Sequence, residues 1–146
     1  MKPKNKNANK VVVITGASSG IGLATARFFA DAGFKVYGLS RNITEEDKFI
    51  SLSCDVTNPE QVTETISYIM EKETRIDILI NNAGFGISGS VENESPEKIK
   101  NLFDVNFHGA VTCTQEVLPI MRSQGGGKIL NTCSVAGIAP IPFQSF

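Results

Sequence analysis

The chain has 146 residues, of which 41% are hydrophobic and 20% are charged, and its formal net charge is −1. These values are ordinary for a globular domain with one core, and they predict a soluble protein. The near-neutral charge argues against a nucleic-acid or membrane-surface partner. No apolar run has the length of a membrane span or the flanks of a signal peptide, so neither segment is expected.

Cysteine usage indicates the compartment. Cys54, Cys113 and Cys133 are odd in number, widely spaced and placed in apolar segments. This pattern is typical of free, buried thiols in a reducing compartment, so a cytoplasmic location is predicted. A metal site is not expected, because no Cys-x-x-Cys occurs and His108 is the single histidine.

Residues 1–10 are predicted to form a flexible, solvated tail. Its lysines are Lys2, Lys4, Lys6 and Lys10. The run 11–14 contains four β-branched apolar residues and predicts a strand covered on both faces. A helix follows from Ile21, and Gly33 should end it near Ala32. The residues assigned to its buried face are Ile21, Ala24, Phe28, Phe29 and Ala32.

Three further helices are predicted. The first begins at Asn58-Pro59, with Asn58 as the cap and Gln61 in the capping-box position. The second begins at Ser95-Pro96. Its inward-facing residues are expected to be Ile99, Leu102, Phe103 and Phe107. The third spans 108–122 and is apolar most of the way round, which favours burial on two sides.

Strands alternate with these helices. They are expected at 34–40, 49–54, 76–80 and 128–133, in addition to the first strand. This alternation predicts an α/β fold, with residues 11–146 forming one Rossmann-like, doubly wound parallel sheet in strand order 3-2-1-4-5. A ligand is then expected at the carboxyl ends of strands one and four, where the strand order reverses.

The turn between the first strand and the first helix is the strongest candidate for a ligand site. Its spacing is Gly16-x-x-x-Gly20-x-Gly22, and no bulky side chain precedes Ile21. Small residues let backbone amides approach a ligand, and the helix N-terminus favours a pyrophosphate. The candidate cofactor-binding residues of this turn are Gly16, Ser18, Ser19, Gly20, Ile21 and Gly22. The turn by itself is also compatible with a tight connection that binds nothing.

The motif Thr-Gly-x-x-x-Gly-x-Gly at 15–22 resembles the short-chain dehydrogenase/reductase family. Asn-Asn-Ala-Gly at 81–84, Asn106 and Ser134 follow in the order of that family, so the resemblance covers the chain from Val11 onward. It implies an oxidoreductase that moves a hydride between a nicotinamide dinucleotide and a carbonyl or alcohol substrate. It also implies that Asn82, Ala83 and Gly84 pack against the cofactor loop and line the adenosine ribose.

Cofactor choice depends on the end of the second strand. Ser40 and Arg41 stand where an NAD-binding protein usually has an acidic residue for the ribose 2′-hydroxyl. A guanidinium suits a 2′-phosphate, so the sequence predicts NADP(H) in preference to NAD(H), unless Arg41 is only a solvated loop residue. After the third strand, the resemblance implies that Asp55 or the amide of Val56 meets the adenine. A plain aspartate turn is the alternative for Asp55.

Two catalytic residues are implied by the resemblance. Ser134 would hydrogen-bond the substrate carbonyl, and Asn106 would hold a water in a proton relay. A serine at a strand end is otherwise a common turn residue, and a mid-helix asparagine is more often solvated. The loop 85–89 and the segment 138–142 are apolar, which favours a hydrophobic substrate.

The family's Tyr-x-x-x-Lys motif does not occur in these 146 residues, because Tyr37 and Tyr68 both lie far from Ser134 in the sequence. We therefore expect the N-terminal part of a reductase that ends before its acid/base residue and its last strands, and is itself inactive. Strand five would then form a sheet edge, and the helix 108–122 would expose apolar surface, which predicts a homo-oligomer. A catalytically silent dinucleotide-binding or interaction module is the alternative.

Overall fold

The computed structural model describes residues 7, 9–43, 45–139 and 141–144. Five parallel strands form one sheet in the order β3-β2-β1-β4-β5, as predicted. The strands are β1 (Val11–Thr15), β2 (Lys35–Ser40), β3 (Ile50–Ser53), β4 (Ile78–Asn81) and β5 (Lys128–Asn131). In the centre of the sheet, Val13 pairs with Tyr37 on one side and with Leu79 on the other.

Helices cover both faces of the sheet. They are α1 (Gly20–Asp31), α2 (Pro59–Glu73), α3 (Pro96–Phe103) and α4 (Gly109–Ser123). A π-helical turn (Asp104–His108) joins α3 to α4, and short 3₁₀ turns occur at Val91–Asn93 and Val135–Gly137. Alternate residues of β1 point to opposite faces, so Val12 and Ile14 pack with α1 while Val11 and Val13 pack with α2 and α4.

The buried face of α1 differs from the prediction. Ile21 and Phe28 are 69% and 68% exposed, while Gly22 and Ala26 are buried against the sheet. A Cβ atom at Gly22 would lie 2.2 Å from the carbonyl oxygen of Gly16. This close approach fixes the rotation of the helix and turns Ile21 and Phe28 toward solvent, whereas Phe29 of the predicted face is partly buried and packs against the core. The predicted end of the helix is confirmed, because Gly33 follows with φ of +83°.

The predicted inward face of α3 is only partly correct. Leu102 is buried as expected, but Phe103 and Phe107 are 46% and 58% exposed. Within α4, one stripe faces the core as expected and Val111 on another side is exposed, so burial of that second side stays a prediction. The stripe consists of Gly109, Cys113, Val117 and Met121.

The start of α2 uses a different hydrogen bond from the predicted capping box. The Asn58 side chain accepts from the amide of Gln61, as expected for the cap. The Gln61 side chain accepts from the amide of Asp55 at 2.9 Å instead of returning to Asn58. The Asn58 amide has its own partner, the carbonyl of Asp55.

Cysteine burial follows the prediction at two positions. Cys54 and Cys113 are buried and free, whereas Cys133 is free but exposed beyond the end of β5. Lys2, Lys4 and Lys6 lie outside the described residues. Two described residues of the predicted tail contact the domain: the Asn7 side chain donates to the carbonyl of Ala32, and the carbonyl of Lys10 accepts from the Lys35 amide.

Candidate cofactor and active site

The carboxyl ends of β1 and β4 meet at one edge of the sheet, where the strand order reverses. The Thr15 hydroxyl, which is buried at the end of β1, accepts hydrogen bonds from the amides of Asn82 at 3.0 Å and Ala83 at 2.9 Å. The Asn82 side chain donates back to the carbonyl oxygens of Thr15 at 3.1 Å and Gly16 at 3.4 Å. The two strand ends are therefore tied together through side-chain bonds in both directions.

Glycine is required in the turn that follows β1. Gly16 has φ of +68°, and a Cβ atom there would lie 2.8 Å from the Cα of Ala83. Gly20 also has a positive φ of +53°, but a Cβ atom there would meet nothing within 4 Å. Gly16 thus packs against β4. Gly20 borders open space, where a ligand can approach the backbone.

The first turn of α1 faces that open space. Its leading amides belong to Gly20, Ile21 and Gly22, and the amides at a helix start have no intrahelical acceptor. Ser19 is the cap residue, but its side chain makes no capping hydrogen bond. Ala17 is buried in the core, whereas Ser19, Gly20 and Ile21 are exposed, so these side chains leave the turn open. This arrangement fits a diphosphate bound to backbone amides.

The end of β2 provides a second part of the predicted site, beside the open turn before α1. The Ser40 hydroxyl donates to the carbonyl of Asn42 at 2.6 Å, and the Ser53 hydroxyl donates to the carbonyl of Arg41 at 3.2 Å. These bonds fix the backbone on both sides of Arg41. The Arg41 side chain is exposed and has no hydrogen bond or ion pair with any of the described residues. Ser40, by contrast, is largely buried, with its hydroxyl engaged locally.

Asp55 and Val56 are both engaged within the protein. The Asp55 carboxylate accepts from the amide and the hydroxyl of Thr57, at 2.9 and 2.8 Å, which is the aspartate turn left open by the sequence. Val56 is buried, and a Cβ atom at Gly109 would lie 2.7 Å from its side chain. Only the backbone of Val56 is left to meet a ligand.

Asn106 lies in the π-helical turn and holds the loop that follows β4. Its side-chain amide donates to the carbonyl of Phe85 at 2.8 Å and accepts from the Phe85 amide at 3.0 Å. Gly84 permits this contact, since a Cβ atom there would lie 3.1 Å from the Asn106 oxygen. The oxygen and the nitrogen of this side chain therefore each have one partner in the backbone of Phe85, and one N–H and one lone pair remain available.

Ser134 is brought toward the same edge by β5. The Thr132 amide donates to the carbonyl of Asn81 at 2.8 Å, and the Thr132 hydroxyl donates to the side-chain oxygen of Asn82 at 3.3 Å. Ser134 follows two residues later, is exposed, and accepts a hydrogen bond from the Ala136 amide at 3.1 Å. The sheet thus places Ser134 beyond the ends of β4 and β5 with an accessible hydroxyl.

Two residues that hold this site together are missing from the predicted set of site residues. Thr15 organises the β1–β4 junction, and its position directly before the first glycine is the signal that could have identified it. Asn81 is buried and donates to the side-chain oxygens of Asn131 at 2.9 Å and Thr114 at 3.1 Å. It therefore joins β4 to β5 and α4, a role that no sequence spacing reveals.

Two shifted pKa values belong to a pair that joins β2 to the end of α2, outside the predicted site residues. Burial raises the pKa of Tyr37, and the hydrogen bond that its hydroxyl donates to Glu73 at 2.5 Å raises it further. Burial opposes ionisation of Glu73, but the hydrogen bonds from Lys35 and Tyr37, together with the charge of Lys35, outweigh it and lower the pKa of Glu73.

A sequence model described as short chain dehydrogenase matches residues 10–146. The chain belongs to the short-chain dehydrogenase/reductase family. The predicted family is thereby confirmed, together with the Rossmann-like sheet observed in the structure.

Individual relatives agree with this assignment. The chain is 41% identical over 138 residues to a 3-ketodihydrosphingosine reductase of Bacteroides thetaiotaomicron, with 94% of this chain and 51% of that protein covered. The ligand-free aldohexose dehydrogenase of Thermoplasma acidophilum has a TM-score of 0.90 at 38% identity, covering 93% of this chain and 53% of the other. A metagenomic short-chain oxidoreductase in complex with NADP has a TM-score of 0.88 at 26% identity, covering 95% and 68%.

The chain spans about half the length of the curated relatives it matches. Both tyrosines of the chain lie within regular elements of the fold: Tyr37 is buried in β2, and Tyr68 lies on α2. In the described ranges, no helix has the length and apolar character needed to cross a membrane. The same ranges hold no cluster of histidine, cysteine and acidic side chains suited to a metal ion.

Proposed function

We propose that this protein is an NADP(H)-dependent oxidoreductase that interconverts a carbonyl and an alcohol. The observation that carries the cofactor preference is Arg41. It is exposed, its backbone is held on both sides, and its guanidinium has no partner among the described residues. No acidic residue follows β2 directly to repel a 2′-phosphate, because the sequence there is Ser40-Arg41-Asn42.

The cofactor-binding residues divide into two groups. The amides of Gly20, Ile21 and Gly22 would bind the diphosphate at the N-terminus of α1, and the Gly16 turn gives it access. Ser18 and Ser19 border this turn, and Asn82, Ala83 and Gly84 would line the adenosine ribose. The bound nicotinamide would supply or accept the hydride.

Ser134 would orient and polarise the substrate carbonyl through its exposed hydroxyl. The Asn106 side chain is hydrogen-bonded to both the N–H and the carbonyl of Phe85, so we assign to Asn106 the positioning of the loop after β4. Asn106 would also hold the relay water that the family resemblance implies. The complete protein would add a Tyr-x-x-x-Lys motif, with the tyrosine as general acid and base. The greater length of the relatives supports this expectation.

The substrate would be hydrophobic. Apolar side chains are exposed on both predicted wall segments: Phe85 on the loop 85–89, and Ile138 and Ile141 on the segment 138–142, which Phe143 follows directly. The Gly89 amide donates to the carbonyl of Phe143 at 2.9 Å, so the two segments form one wall. The neighbouring reductase named for 3-ketodihydrosphingosine is consistent with an apolar carbonyl compound.

The protein would act as a homo-oligomer in the cytoplasm. Phe103, Phe107 and Val111 are spaced by four residues and exposed, which places them along one side of the α3–α4 segment. β5 lies at the edge of the observed sheet, with Leu130 48% exposed. Apolar surface of this kind favours association. The three free cysteines support a reducing compartment.

Cofactor titration tests the proposal. The dissociation constants of NADPH and NADH would be measured from cofactor fluorescence, since the chain has no tryptophan. Arg41→Ala should weaken NADPH by about tenfold or more, because a charged hydrogen bond is lost, and leave NADH unchanged. Arg122→Ala, an exposed arginine at the end of α4, is the matched control. Tighter binding of NADH than NADPH by the unmodified protein would refute the assignment of the cofactor.

A further inference from the structure

We propose that Arg27 and Glu46 are positioning residues for 2′-phosphate recognition: their ion pair fixes the β2–β3 connection in the shape that presents Arg41 to the cofactor. The inference rests on the proposed function, since it concerns NADP(H) as the preferred dinucleotide. Neither residue would touch the cofactor. Their role would be to reduce the conformational freedom of the loop that does.

The pair has the geometry of a specific contact. The Arg27 Nε donates to one Glu46 carboxylate oxygen at 3.2 Å, and an Arg27 Nη binds the other oxygen, so the interaction is bidentate. The Glu46 side chain is only 8% exposed, although its neighbours Glu45 and Asp47 are exposed. The hydrogen bond from Arg27 lowers the pKa of the Glu46 carboxyl.

The connection between β2 and β3 has few other contacts that could restrain it among its described residues. Arg41, Asn42 and Ile43 are exposed, and the backbone bonds from Ser40 and Ser53 reach only as far as Asn42. Among the described residues 43 and 45–48, Ile43 is the one apolar side chain and is 65% exposed, whereas Phe49 is buried in the core. The ion pair between Glu46 and Arg27 of α1 therefore restrains the backbone of this connection, as a buried apolar side chain would in a better packed loop.

The Arg27–Glu46 pair connects the loop to α1, the helix that begins at the proposed diphosphate site. Arg27 lies on α1, and the N-terminus of α1 is the proposed diphosphate site. One rigid helix would then define both the position of the diphosphate and the position of the loop that carries Arg41. The distance between the two phosphate-binding elements would be fixed by the Arg27–Glu46 pair.

A second ion pair joins the same two elements and provides a control. Lys48 binds both carboxylate oxygens of Asp31 at 2.8 Å, near the other end of α1. Its side chains are 50% and 60% exposed, so solvent screens the interaction and its contribution is small. Lys48 also lies close to Phe49, which is already held in the core.

The test uses two substitutions with opposite charge changes, Arg27→Met and Glu46→Gln, and compares the dissociation constants of NADPH and NADH. Simple electrostatics predicts opposite effects on NADPH, because the first removes a positive charge and the second removes a negative one. Positioning predicts that both weaken NADPH by about fivefold, which corresponds to the loss of one good surface ion pair. NADH binding should not change, since it has no 2′-phosphate.

The charge-reversed double variant Arg27→Glu/Glu46→Arg should recover most of the NADPH affinity, and Lys48→Met should stay within about twofold of the unmodified protein. Opposite shifts for the two single variants, equal weakening of NADPH and NADH, or no change would each overturn the positioning role. If Arg41→Ala removes the NADPH preference while Arg27→Met and Glu46→Gln do not, the proposed function stands and this inference fails. If the unmodified protein has no NADPH preference, both fail.

Discussion

Replacing Thr15 by valine removes the hydroxyl that joins the ends of β1 and β4 while keeping the shape of the side chain. The amides of Asn82 and Ala83, which donate to this hydroxyl at 3.0 and 2.9 Å, would lose their acceptor. Each such bond contributes about 1 kcal/mol net, and an amide left without any partner costs up to about 3 kcal/mol. Because both residues are half-buried, water can partly replace the hydroxyl, so we expect a total loss of about 2–3 kcal/mol.

Thr15→Ser is the matched control, because it retains the hydroxyl and removes only one buried methyl group. Its expected cost is about 1 kcal/mol. Urea unfolding followed by far-ultraviolet circular dichroism measures both variants, and a loss of 2 kcal/mol lowers the midpoint by about 1 M. The valine variant should also bind NADPH less tightly, since the turn would no longer be fixed to β4. Equal stability of the valine and serine variants would refute the role given to the hydroxyl.

Three further predictions concern packing, pH and thiol access. Gly22→Ala should destabilise the protein by about 1–3 kcal/mol, because the new Cβ lies 2.2 Å from a main-chain oxygen. Gly86→Ala, where a Cβ meets nothing, should be neutral in the same unfolding assay. Burial opposes ionisation of Asp77, but the hydrogen bonds from Arg75 and the Val11 amide and the charges of Arg75 and Lys10 together outweigh it and lower the pKa of Asp77. The stability it contributes is therefore present above the unfolded pKa of about 3.9 and lost as pH falls through the lower folded value, so Asp77→Asn should reduce the pH dependence of the unfolding midpoint below about pH 4. Titration with a thiol reagent at pH 8 should label Cys133 quickly and the two buried cysteines only after unfolding; rapid labelling of all three would contradict the burial.

Alternation of apolar runs and capped helices was sufficient to predict the sheet. Strand order follows from the right-handed connection rule together with the usual order of doubly wound sheets, once five strands and their helices are identified, and the β-branched run at 11–14 is typical of a buried strand. The glycine spacing of the first turn predicts where α1 starts. Only small residues fit between the ends of β1 and β4, so the run of small residues marks the turn that precedes the helix.

The orientation of individual side chains could not be read from periodicity. Ile21 and Phe28 were assigned to the core because they are apolar and share a helical face, but the contact of Gly22 with Gly16 rotates that face outward. Hydrophobic periodicity counts large side chains, whereas the two fully buried residues of this helix are Gly22 and Ala26. Burial of Cys133 is predicted wrongly because the strand expected at 128–133 ends at Asn131.

Long-range polar contacts form the other part that sequence reasoning missed. The Arg27–Glu46 pair and the Thr15–Asn82 bonds join residues 19 and 67 positions apart. Charged and hydroxyl side chains have many possible partners, so the folded backbone must be known before the correct one is identified. The use of the Asn106 amide by Phe85 is a similar case.

The central claim is that backbone amides at the start of α1 bind the dinucleotide diphosphate. Amide NMR spectra of the ¹⁵N-labelled 146-residue chain, recorded during titration with NADPH, test it most directly. The account predicts that the largest shifts belong to Gly20, Ile21 and Gly22 at the start of the helix. Saturable shifts confined to other residues, with these three amides unmoved, would contradict it.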